Sequence, residues 1–441
     1  MMSDRKLRLG LTVALTILSL TFSVMSTRAV AQEKVLYSFD GDSEYLAAYP
    51  ISTLIFDAAG NLYGTGLGGG TTCGNPGCGT VFELSPQAGG GWNETVLHEF
   101  RDDGGDQGYY PHGSLVADAA GNLYGTAYRG GGGGTNCGIF GGGAAFELLP
   151  AAGGGWRVKV LHSFGSLAEC ADGGGPWGGM IFDAAGNLYG TTTAGGANGW
   201  GTVFELSPSS GGRWTETVLH SFNGYDGQAP YATLTFDSAG NLYGTTSLGG
   251  TYFYGTVFEL SPITGGNWKE KVLHSFDTGA GGYQPQGAVV LDTTGNVYAT
   301  TAFGGTGTNC TNGCGTVFEL SPAAKGWTKK TLHYFTNNGK DGSDPVAGLI
   351  FDSAGNLYGT TELGGDSTDQ DCDGGCGTVF ELAPSASGGW NERILYNFGN
   401  SPTDGIAPEA SLVFDAAGNL YGATYSGGAV YSGGTVFEVS P

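Results

Sequence analysis

Positive charge is scarce in this chain of 441 residues. It has 17 Lys and Arg against 40 Asp and Glu, which gives a formal net charge of −23. Because binding to a polyanion requires clustered basic side chains, this composition argues against nucleic acid as a partner. The sequence also lacks the G-x-S-x-G, H-E-x-x-H and P-loop motifs, so nothing in it marks the enzyme classes that carry those motifs.

Long apolar runs are equally rare. The single run, Leu9–Met25, follows a short basic segment and precedes the small residues Ala29-Val30-Ala31. This order is typical of a signal peptide that is cleaved after Ala31. We therefore predict a signal peptide over residues 1–31, a folded domain over 32–441, and an exported chain with no membrane span after cleavage.

Repetition is the dominant feature of the remaining sequence. The phrase FDAAGNLYGT recurs seven times at intervals of 54 to 65 residues, with its first Asp at Asp57, Asp118, Asp183, Asp237, Asp292, Asp352 and Asp415. A unit of this size cannot bury its own apolar face, so stability must come from packing against neighbouring units. The interval is close to the length of a propeller blade, and we predict an all-β, seven-bladed β-propeller.

Each repeat contains four short stretches with strand character, named A to D. In the first repeat we predict strand A over Ile51–Asp57, B over Asn61–Thr65, C over Gly79–Leu84 and D over Trp92–Phe100. The last repeat ends after its strand C, Gly434–Pro441, whereas Lys34–Phe39 is a strand D without a repeat of its own. We predict that these two ends pair, which closes the ring and removes exposed strand edges.

Eight cysteines in a chain predicted to be exported indicate disulfides. Close spacing predicts three local bridges, and the remaining two cysteines would then pair: Cys73–Cys78, Cys310–Cys314, Cys372–Cys376 and Cys137–Cys170. Metal binding is the alternative, but structural zinc needs four converging ligands and the close pairs lie in different repeats.

The phrases GNLYGT and GTVFELSP resemble the Gloeo/Verruco-type extracellular repeat of bacterial surface proteins, over essentially all of the chain after residue 31. The D-x-x-G-N-L-Y hairpin is also similar to that of NHL-type propeller blades, which implies that strand A is innermost. The resemblance implies a secreted, periplasmic or cell-surface protein and supplies no catalytic residues. No sorting segment follows Gly434–Pro441, so we expect release or periplasmic residence rather than anchoring.

Candidate functional positions are those that vary inside the repeated frame. Antiparallel strands place the D-to-A and B-to-C loops on one face of the ring, here called the long-loop face. Every D-to-A loop ends in Pro, and the residues that follow it are predicted to ring the channel mouth: Ile51, His112, Trp177, Tyr231, Gln286, Val346 and Glu409.

Aromatic residues concentrate in the loops of repeats two to four, among them Trp177, Trp200, Tyr109, Tyr110, Tyr225, Tyr252, Phe253 and Tyr254. They suggest a platform for stacking sugars or gripping a peptide, and the alternative is that they cover the Gly-rich loops and the core. The predicted ligand-binding residues are therefore Tyr109, Tyr110, His112, Trp177, Trp200, Tyr231, Gln286 and Glu409.

Two polar positions that recur in the repeats are interpreted as structural, because packing needs them in every blade. One is the Glu of strand C: Glu83, Glu147, Glu205, Glu259, Glu319, Glu381 and Glu438. The other, in strand D, is His98, His162, His220, His274 or His333, with Tyr37 and Tyr396 as substitutes.

A D-x-D-x-D-G segment formed by Asp369, Asp371, Asp373 and Gly374 resembles the start of a calcium loop. Phe380 stands where the closing Glu of such a loop is expected. Calcium is the one candidate cofactor, and a solvated acidic loop is the alternative.

The leading hypothesis is an exported, monomeric, noncatalytic binding or scaffold module whose partner is a glycan or a surface protein. The alternative is a propeller lyase or hydrolase with His112 as base and Glu409 or Asp106 as its partner, because His112 is the only histidine outside the strand D position. A purely structural envelope protein is the third hypothesis, since a propeller fold does not define a function.

Overall fold

A computed structural model of the chain describes residues 31–441 except 42–45, 72, 74–76, 103–104, 133–136, 138–140, 368–371, 373 and 430–432. By internal contacts the described part belongs to one compact unit, Ala31–Pro441. The predicted signal peptide, apart from Ala31, and the predicted calcium ligands Asp369, Asp371 and Asp373 lie outside the described residues.

The described chain is a seven-bladed β-propeller, and each blade is an antiparallel sheet of strands A to D in sequential order. The A strands are Ile55–Phe56, Val116–Ala117, Ile181–Phe182, Thr235–Phe236, Val290–Leu291, Ile350–Phe351 and Val413–Phe414. The B strands are Leu62–Gly69, Leu123–Ala127, Leu188–Thr192, Leu242–Thr246, Val297–Thr301, Leu357–Thr361 and Leu420–Thr424.

The outer half of each blade consists of longer strands. The C strands are Thr80–Pro86, Ala144–Pro150, Thr202–Ser209, Thr256–Ile263, Thr316–Ala323, Thr378–Pro384 and Thr435–Ser440. The D strands are Trp92–Glu99, Trp156–Ser163, Arg213–Ser221, Asn267–Ser275, Gly326–Tyr334, Trp390–Asn397 and, for blade seven, Gln32–Ser38.

Short additional elements lie in the loops. Ala47–Pro50 pairs with the B strand of blade one, Gly342–Ser343 with Leu363–Gly364, and Gly405–Ile406 with Ser426–Gly427. Ala168–Cys170 is a single 3-10 turn. Within the described ranges, no helix has the length and apolar character needed to cross a bilayer.

The two ends of the chain close the ring, as predicted. Gln32–Ser38 pairs antiparallel with Thr435–Ser440, with Lys34 opposite Glu438 and Ser38 opposite Thr435. The last blade therefore takes its outermost strand from the start of the domain and its other three strands from the end.

Strand A is shorter than predicted, with two residues in blade one in place of the expected Ile51–Asp57. Between the paired segment Ala47–Pro50 and strand A, the backbone at Thr53 bonds across to the next blade. The amide of Thr53 donates to Ser114 Oγ at 3.1 Å, and Gly179 donates in the same way to Thr233 Oγ1 at 2.9 Å. The inner strands thus hold neighbouring blades together through side-chain acceptors.

The repeated hairpin between strands A and B is held by its Asp. In blade four, Asp237 accepts hydrogen bonds from the amides of Ala239 and Asn241, from Asn241 Nδ2 and from the Tyr243 hydroxyl, at 2.7–3.3 Å. Burial opposes ionisation of Asp237, but these hydrogen bonds outweigh it and lower its pKa below the ordinary value. The pKa of the equivalent Asp is lowered in all seven blades.

We expect Asp237→Ala to lower the free energy of unfolding by about 1–3 kcal/mol, because several polar groups lose their acceptor. Because the pKa of Asp237 is lowered by folding, its contribution to stability is present above the pKa that it has in the unfolded chain. That contribution is lost as the pH falls through the pKa of Asp237 in the folded protein. Denaturant unfolding at pH 7 and pH 3 measures both effects, with the exposed Asp102→Ala as control. Equal losses for the two variants at pH 7 would contradict the role of the hairpin.

A ring of phenylalanines forms the core between the blades. The Phe that follows each strand D contacts the strand C Phe of the next blade, with ring centroids 4.9–5.3 Å apart. The pairs are Phe39–Phe82, Phe100–Phe146, Phe164–Phe204, Phe222–Phe258, Phe276–Phe318, Phe335–Phe380 and Phe398–Phe437. Since Phe39 comes from the start of the domain, the aromatic ring closes at the same point as the sheet.

All four predicted disulfides are confirmed: Cys73–Cys78, Cys137–Cys170, Cys310–Cys314 and Cys372–Cys376. The first and the last two each close a short B-to-C loop. Cys137–Cys170 joins a B-to-C loop to the following D-to-A loop across 33 residues. Four disulfides are compatible with an exported protein.

Candidate functional site

The seven residues that follow the loop prolines line one cavity of about 210 Å³, and each blade contributes one of them: Ile51, His112, Trp177, Tyr231, Gln286, Val346 and Glu409. The cavity lies where the seven D-to-A loops converge. Sequence reasoning predicted this arrangement because an invariant Pro fixes the same position in each blade.

The residue before each of these prolines has a left-handed backbone, with φ between 53° and 64°: Tyr49, Tyr110, Gly175, Ala229, Gln284, Asp344 and Ala407. Only one of them is Gly, so the conformation must be imposed by the surroundings. The Tyr110 amide donates to Cys78 O of the preceding blade at 2.9 Å, and its carbonyl accepts from the Tyr128 amide at 3.0 Å. Such bonds fix the cavity wall to two blades at once.

An aromatic group forms one side of the cavity. The Trp177 indole stacks on His112 with centroids 3.5 Å apart and meets Tyr128 and Tyr231 edge-on at 4.9 and 5.2 Å. Burial lowers the pKa of His112 to about 3, so its imidazole is neutral at physiological pH. This side of the cavity is therefore aromatic and uncharged.

A second cavity of about 410 Å³ shares His112 and Trp177 with the central one. Its other lining residues are Tyr49, Leu67, Gly68, Tyr110, Tyr128, Arg129 and Tyr425. The Arg129 guanidinium lies 5.7 Å from the Tyr110 ring centre and 5.6 Å from that of Tyr128, which suits a cation–π contact. The two cavities together, here called the aromatic cleft, meet at Trp177.

Sequence reasoning missed Tyr49, Tyr128, Arg129 and Tyr425 as lining residues. A signal was available, because the residue four positions after the Tyr of strand B varies between blades: Leu67, Tyr128, Thr193, Ser247, Ala302, Glu362 and Tyr425. Hydrogen bonds between this position and the residue before the loop Pro bring the two variable positions together, which the sequence alone does not show.

The opposite side of the central cavity is acidic. Glu362 and Glu409 line it, and Asp344 contributes to the same electrostatic cluster. Burial, and then the charge of Glu362, raise the pKa of Glu409 to about 7 and that of Asp344 to about 6. Burial also raises the pKa of Glu362. The central cavity thus has an aromatic wall and an acidic wall.

We expect the acidic wall to reduce stability as the pH rises. The pKa of Glu409 is raised to about 7 in the folded protein. Its stabilising contribution to the free energy of unfolding is therefore fully present below the ordinary carboxyl pKa and is lost as the pH rises to about 7. Glu409→Gln should therefore raise the free energy of unfolding by about 1–2 kcal/mol at pH 8 and little at pH 4. Denaturant unfolding at both pH values tests this, with the exposed Glu169→Gln as control. A gain that does not depend on pH would contradict it.

The remaining predicted aromatic residues do not join the cleft. Trp200 is 43% exposed, lies beside Gly224 and lines neither cavity. Tyr225, 74% exposed, contacts Phe253 at 5.8 Å in the same outer group. Tyr109 is buried against Tyr110, so its ring serves the core. The expected single aromatic sector is thus two separate groups.

The repeated strand C Glu makes structural contacts. Glu147 accepts from the Tyr124 hydroxyl at 2.9 Å and pairs with Lys159 at 2.8 Å. Glu381 pairs with Arg393 at 2.7 Å. These bonds satisfy buried carboxylates and support the interpretation that this position serves the blade.

Fold and repeat define the class of this protein as a closed, disulfide-bonded propeller of tandem repeats. The Gloeobacter/Verrucomicrobia repeat matches residues 132–366 and 303–441. Since these matches cover more than half of the chain, the protein belongs to that repeat family. No curated protein matches the chain.

Two solved structures are similar to the chain at low sequence identity. One is a candidate oxidoreductase (glucose dehydrogenase) from Thermus thermophilus, with a TM-score of 0.42 and 14% identity over 93% of this chain and 100% of that chain. Another is a protein of unknown function from Dyadobacter fermentans, with a TM-score of 0.39 and 11% identity over 82% of this chain and 98% of that chain. At these values neither description is carried over to this chain.

Proposed function

We propose that this protein is an exported, noncatalytic binding module that holds a glycan in the aromatic cleft. The single observation that carries the proposal is the position of Trp177, which lines both cavities and stacks on His112. Aromatic rings offer flat apolar faces to the C–H faces of a sugar, and tyrosine hydroxyls at their edges offer hydrogen bonds.

The polar groups of the cleft fit the same ligand class. Tyr110, Tyr128 and Arg129 surround the outer cavity, while Glu362 and Glu409 face the inner one. A few polar groups in a mostly aromatic pocket fix the orientation of a ligand with many hydroxyls. The acidic wall would further favour a sugar that carries an amino group.

The geometry gives less support to catalysis at His112. A general base works best when its pKa is near the working pH, whereas the pKa of His112 is lowered to about 3 by burial alone. Its ring contacts are Trp177 and Tyr128. Asp106, considered as a partner, is absent from the residues that line either cavity.

A glycan array followed by calorimetry with the best ligand tests the proposal. We expect Trp177→Ala to weaken binding at least about tenfold, which corresponds to 1.4 kcal/mol. Trp200→Ala is the matched control, because it removes the same side chain from the exposed outer group. Loss of binding in Trp200→Ala alone would move the ligand out of the cleft. Binding to no glycan on the array, or unchanged affinity in Trp177→Ala, would overturn the proposal.

A further inference from the structure

Side chains from neighbouring outer strands meet between the blades. The His or Tyr of one strand D faces a position in strand D of the next blade that is usually Glu, with the D-to-A loop between them. Where that loop supplies an Asp, an imidazole and two carboxyl groups converge. Such inter-blade clusters lie on the outer part of the long-loop side, apart from the aromatic cleft.

Two of these clusters have the geometry of a metal site. In the cluster between blades three and four, the ligand atoms of His220, Asp226 and Glu270 lie within 4.8 Å of one another, and the same holds for His333, Asp341 and Glu392 between blades five and six. His333 Nε2 is 3.5 Å from Asp341 Oδ1 and 3.3 Å from Glu392 Oε1. The ligand atoms of a tetrahedral Zn²⁺ at about 2.0–2.2 Å are about 3.3–3.6 Å from one another.

The three ligand atoms of the His333 cluster, and two of those in the His220 cluster, lack a hydrogen bond of good geometry. The Asp341 side chain is 9% exposed, yet its Oδ1 accepts no hydrogen bond, while its other oxygen accepts from the Thr336 amide and hydroxyl. His333 Nε2 and Glu392 Oε1 are also buried without a hydrogen-bond partner, as are His220 Nε2 and Glu270 Oε1 in the other cluster. In the His333 cluster these atoms contact one another at 3.3–3.5 Å and make no other polar contact, which is unusual for buried polar atoms in a native structure.

The repeat itself provides an internal comparison. Between blades four and five, the position of Glu392 is taken by Lys329 and the position of Asp341 by Gly281. The Lys329 ammonium donates to the Gly281 carbonyl, so a cation built into the chain lies where the other clusters have carboxylates. Between blades one and two, Gln107 and Val158 take these positions beside His98. At both interfaces the strand D Glu is replaced by a neutral or cationic residue, and the D-to-A loop has no Asp at the position of Asp341.

A third cluster, formed by His162, Asp172 and Glu216, differs in one respect. Asp172 Oδ2 accepts from the Ser166 amide and hydroxyl and lies 3.2 Å from His162 Nε2, and its Oδ1 accepts from Leu167. Its oxygens are thus already bonded within the protein. Among the described residues, the ligand atoms of the His220 and His333 clusters lie within 4.8 Å of one another, and the atoms of this third cluster are not grouped so closely. Asp226 is similar to Asp172, because its two oxygens accept from the amide and the side chain of Asn223. Of the three loop carboxylates, Asp341 is the one that keeps an oxygen without a hydrogen bond.

We propose that the clusters His220–Asp226–Glu270 and His333–Asp341–Glu392 each bind one divalent first-row transition-metal ion, such as Zn²⁺. One imidazole and two carboxylates are ligands that such ions accept, and a water molecule can complete the tetrahedron. The ion would neutralise two partly buried carboxylates in a chain with a net charge of −23 and would join two blades. A proton shared by the two carboxyl groups is the competing arrangement.

Metal content and calorimetry with Zn²⁺ on the tag-free mature protein test the proposal. We expect two ions per chain, one in His333→Gln, and two in His98→Gln, which changes the same strand D position at an interface where Gln107 and Val158 replace the two cluster carboxylates. Glu392→Lys should also bind one ion and remain folded, because it places at this interface the residue that blade five uses naturally. No bound Zn²⁺, or two ions in both His333→Gln and Glu392→Lys, would overturn the proposal.

Two further measurements distinguish the site from other sources of binding. Co²⁺ with a histidine and two carboxylates in a tetrahedral site gives visible absorption, which we expect to fall by half in His333→Gln and to disappear in His220→Gln/His333→Gln. Zn²⁺ should also raise the unfolding temperature of the wild-type protein and not of the double variant. Binding that persists in the double variant would place the ion elsewhere, for example at Asp369–Asp373, and would contradict the proposal.

Discussion

Deletion of residues 32–39 is expected to leave the domain largely unfolded, although only eight residues at one end are removed. The deleted strand contributes Leu36, 7% exposed, and Phe39, 0% exposed, to the core. Losing one buried Leu and one buried Phe costs about 2–5 and 3–5 kcal/mol respectively, and a typical domain has only about 5–15 kcal/mol of total stability. The deletion also exposes the edge of Thr435–Ser440, which invites aggregation.

A permuted variant provides the control for this experiment. Residues 32–39 are moved to follow Pro441 through the linker Gln87–Gly91, which joins strands C and D in blade one. We expect circular dichroism and denaturant unfolding to show that the permuted chain regains most of the stability, because the strand order of blade seven then equals that of the other blades. A stable deletion variant, or a permuted chain that is no better than the deletion, would show that closure is not what stabilises the ring.

Phe204→Ala is expected to lower the free energy of unfolding by about 3–5 kcal/mol, which is among the largest effects of a single substitution in the blade cores. Phe204 is fully buried and its ring centre lies 4.9 Å from that of Phe164 of the preceding blade. Truncation leaves a cavity between two blades that the surrounding strands cannot fill, since each is held by its own ladder of hydrogen bonds. Guanidinium unfolding monitored by tryptophan fluorescence measures the loss.

Two variants make this second prediction specific. Phe253→Ala removes the same side chain from an exposed loop position, 55% exposed, and should change stability by less than about 0.5 kcal/mol. Phe164→Ala combined with Phe204→Ala should cost less than the two single changes added together, because the partners share one contact. Additive losses would mean that the two rings stabilise their blades independently.

The fold could be predicted because each of the seven repeats carries the same pattern of strands and turns. The turn Asp57-Ala58-Ala59-Gly60 predicts a hairpin, and seven copies of it predict seven blades. The orphan strand near Phe39 predicts closure for the same reason, since it matches the one strand that the last repeat lacks. Cysteine spacing was sufficient to predict the disulfides, because three pairs are close in sequence and the two remaining cysteines can pair only with each other.

The candidate site was predicted in part. The invariant Pro placed His112, Trp177 and Glu409 around one cavity, but Tyr128 and Arg129 were missed because they approach through bonds between loops far apart in sequence. Trp200 was grouped with Trp177 because both lie in blade three, yet Trp177 lines both cavities and Trp200 lines neither. The position of a residue along a loop does not reveal how far from the axis of the ring its side chain lies.

The sequence by itself determined the number of blades, the closure of the ring, the disulfides and the residues at the channel mouth, because all of these follow from local patterns that repeat. The tertiary structure decided which side chains of different blades face one another. It brought Trp177 between two cavities, and it brought His333 to Asp341 and Glu392 of the next loop and blade. The physical reason is that these contacts form across blade interfaces, whose geometry depends on the packing of all seven blades around one axis.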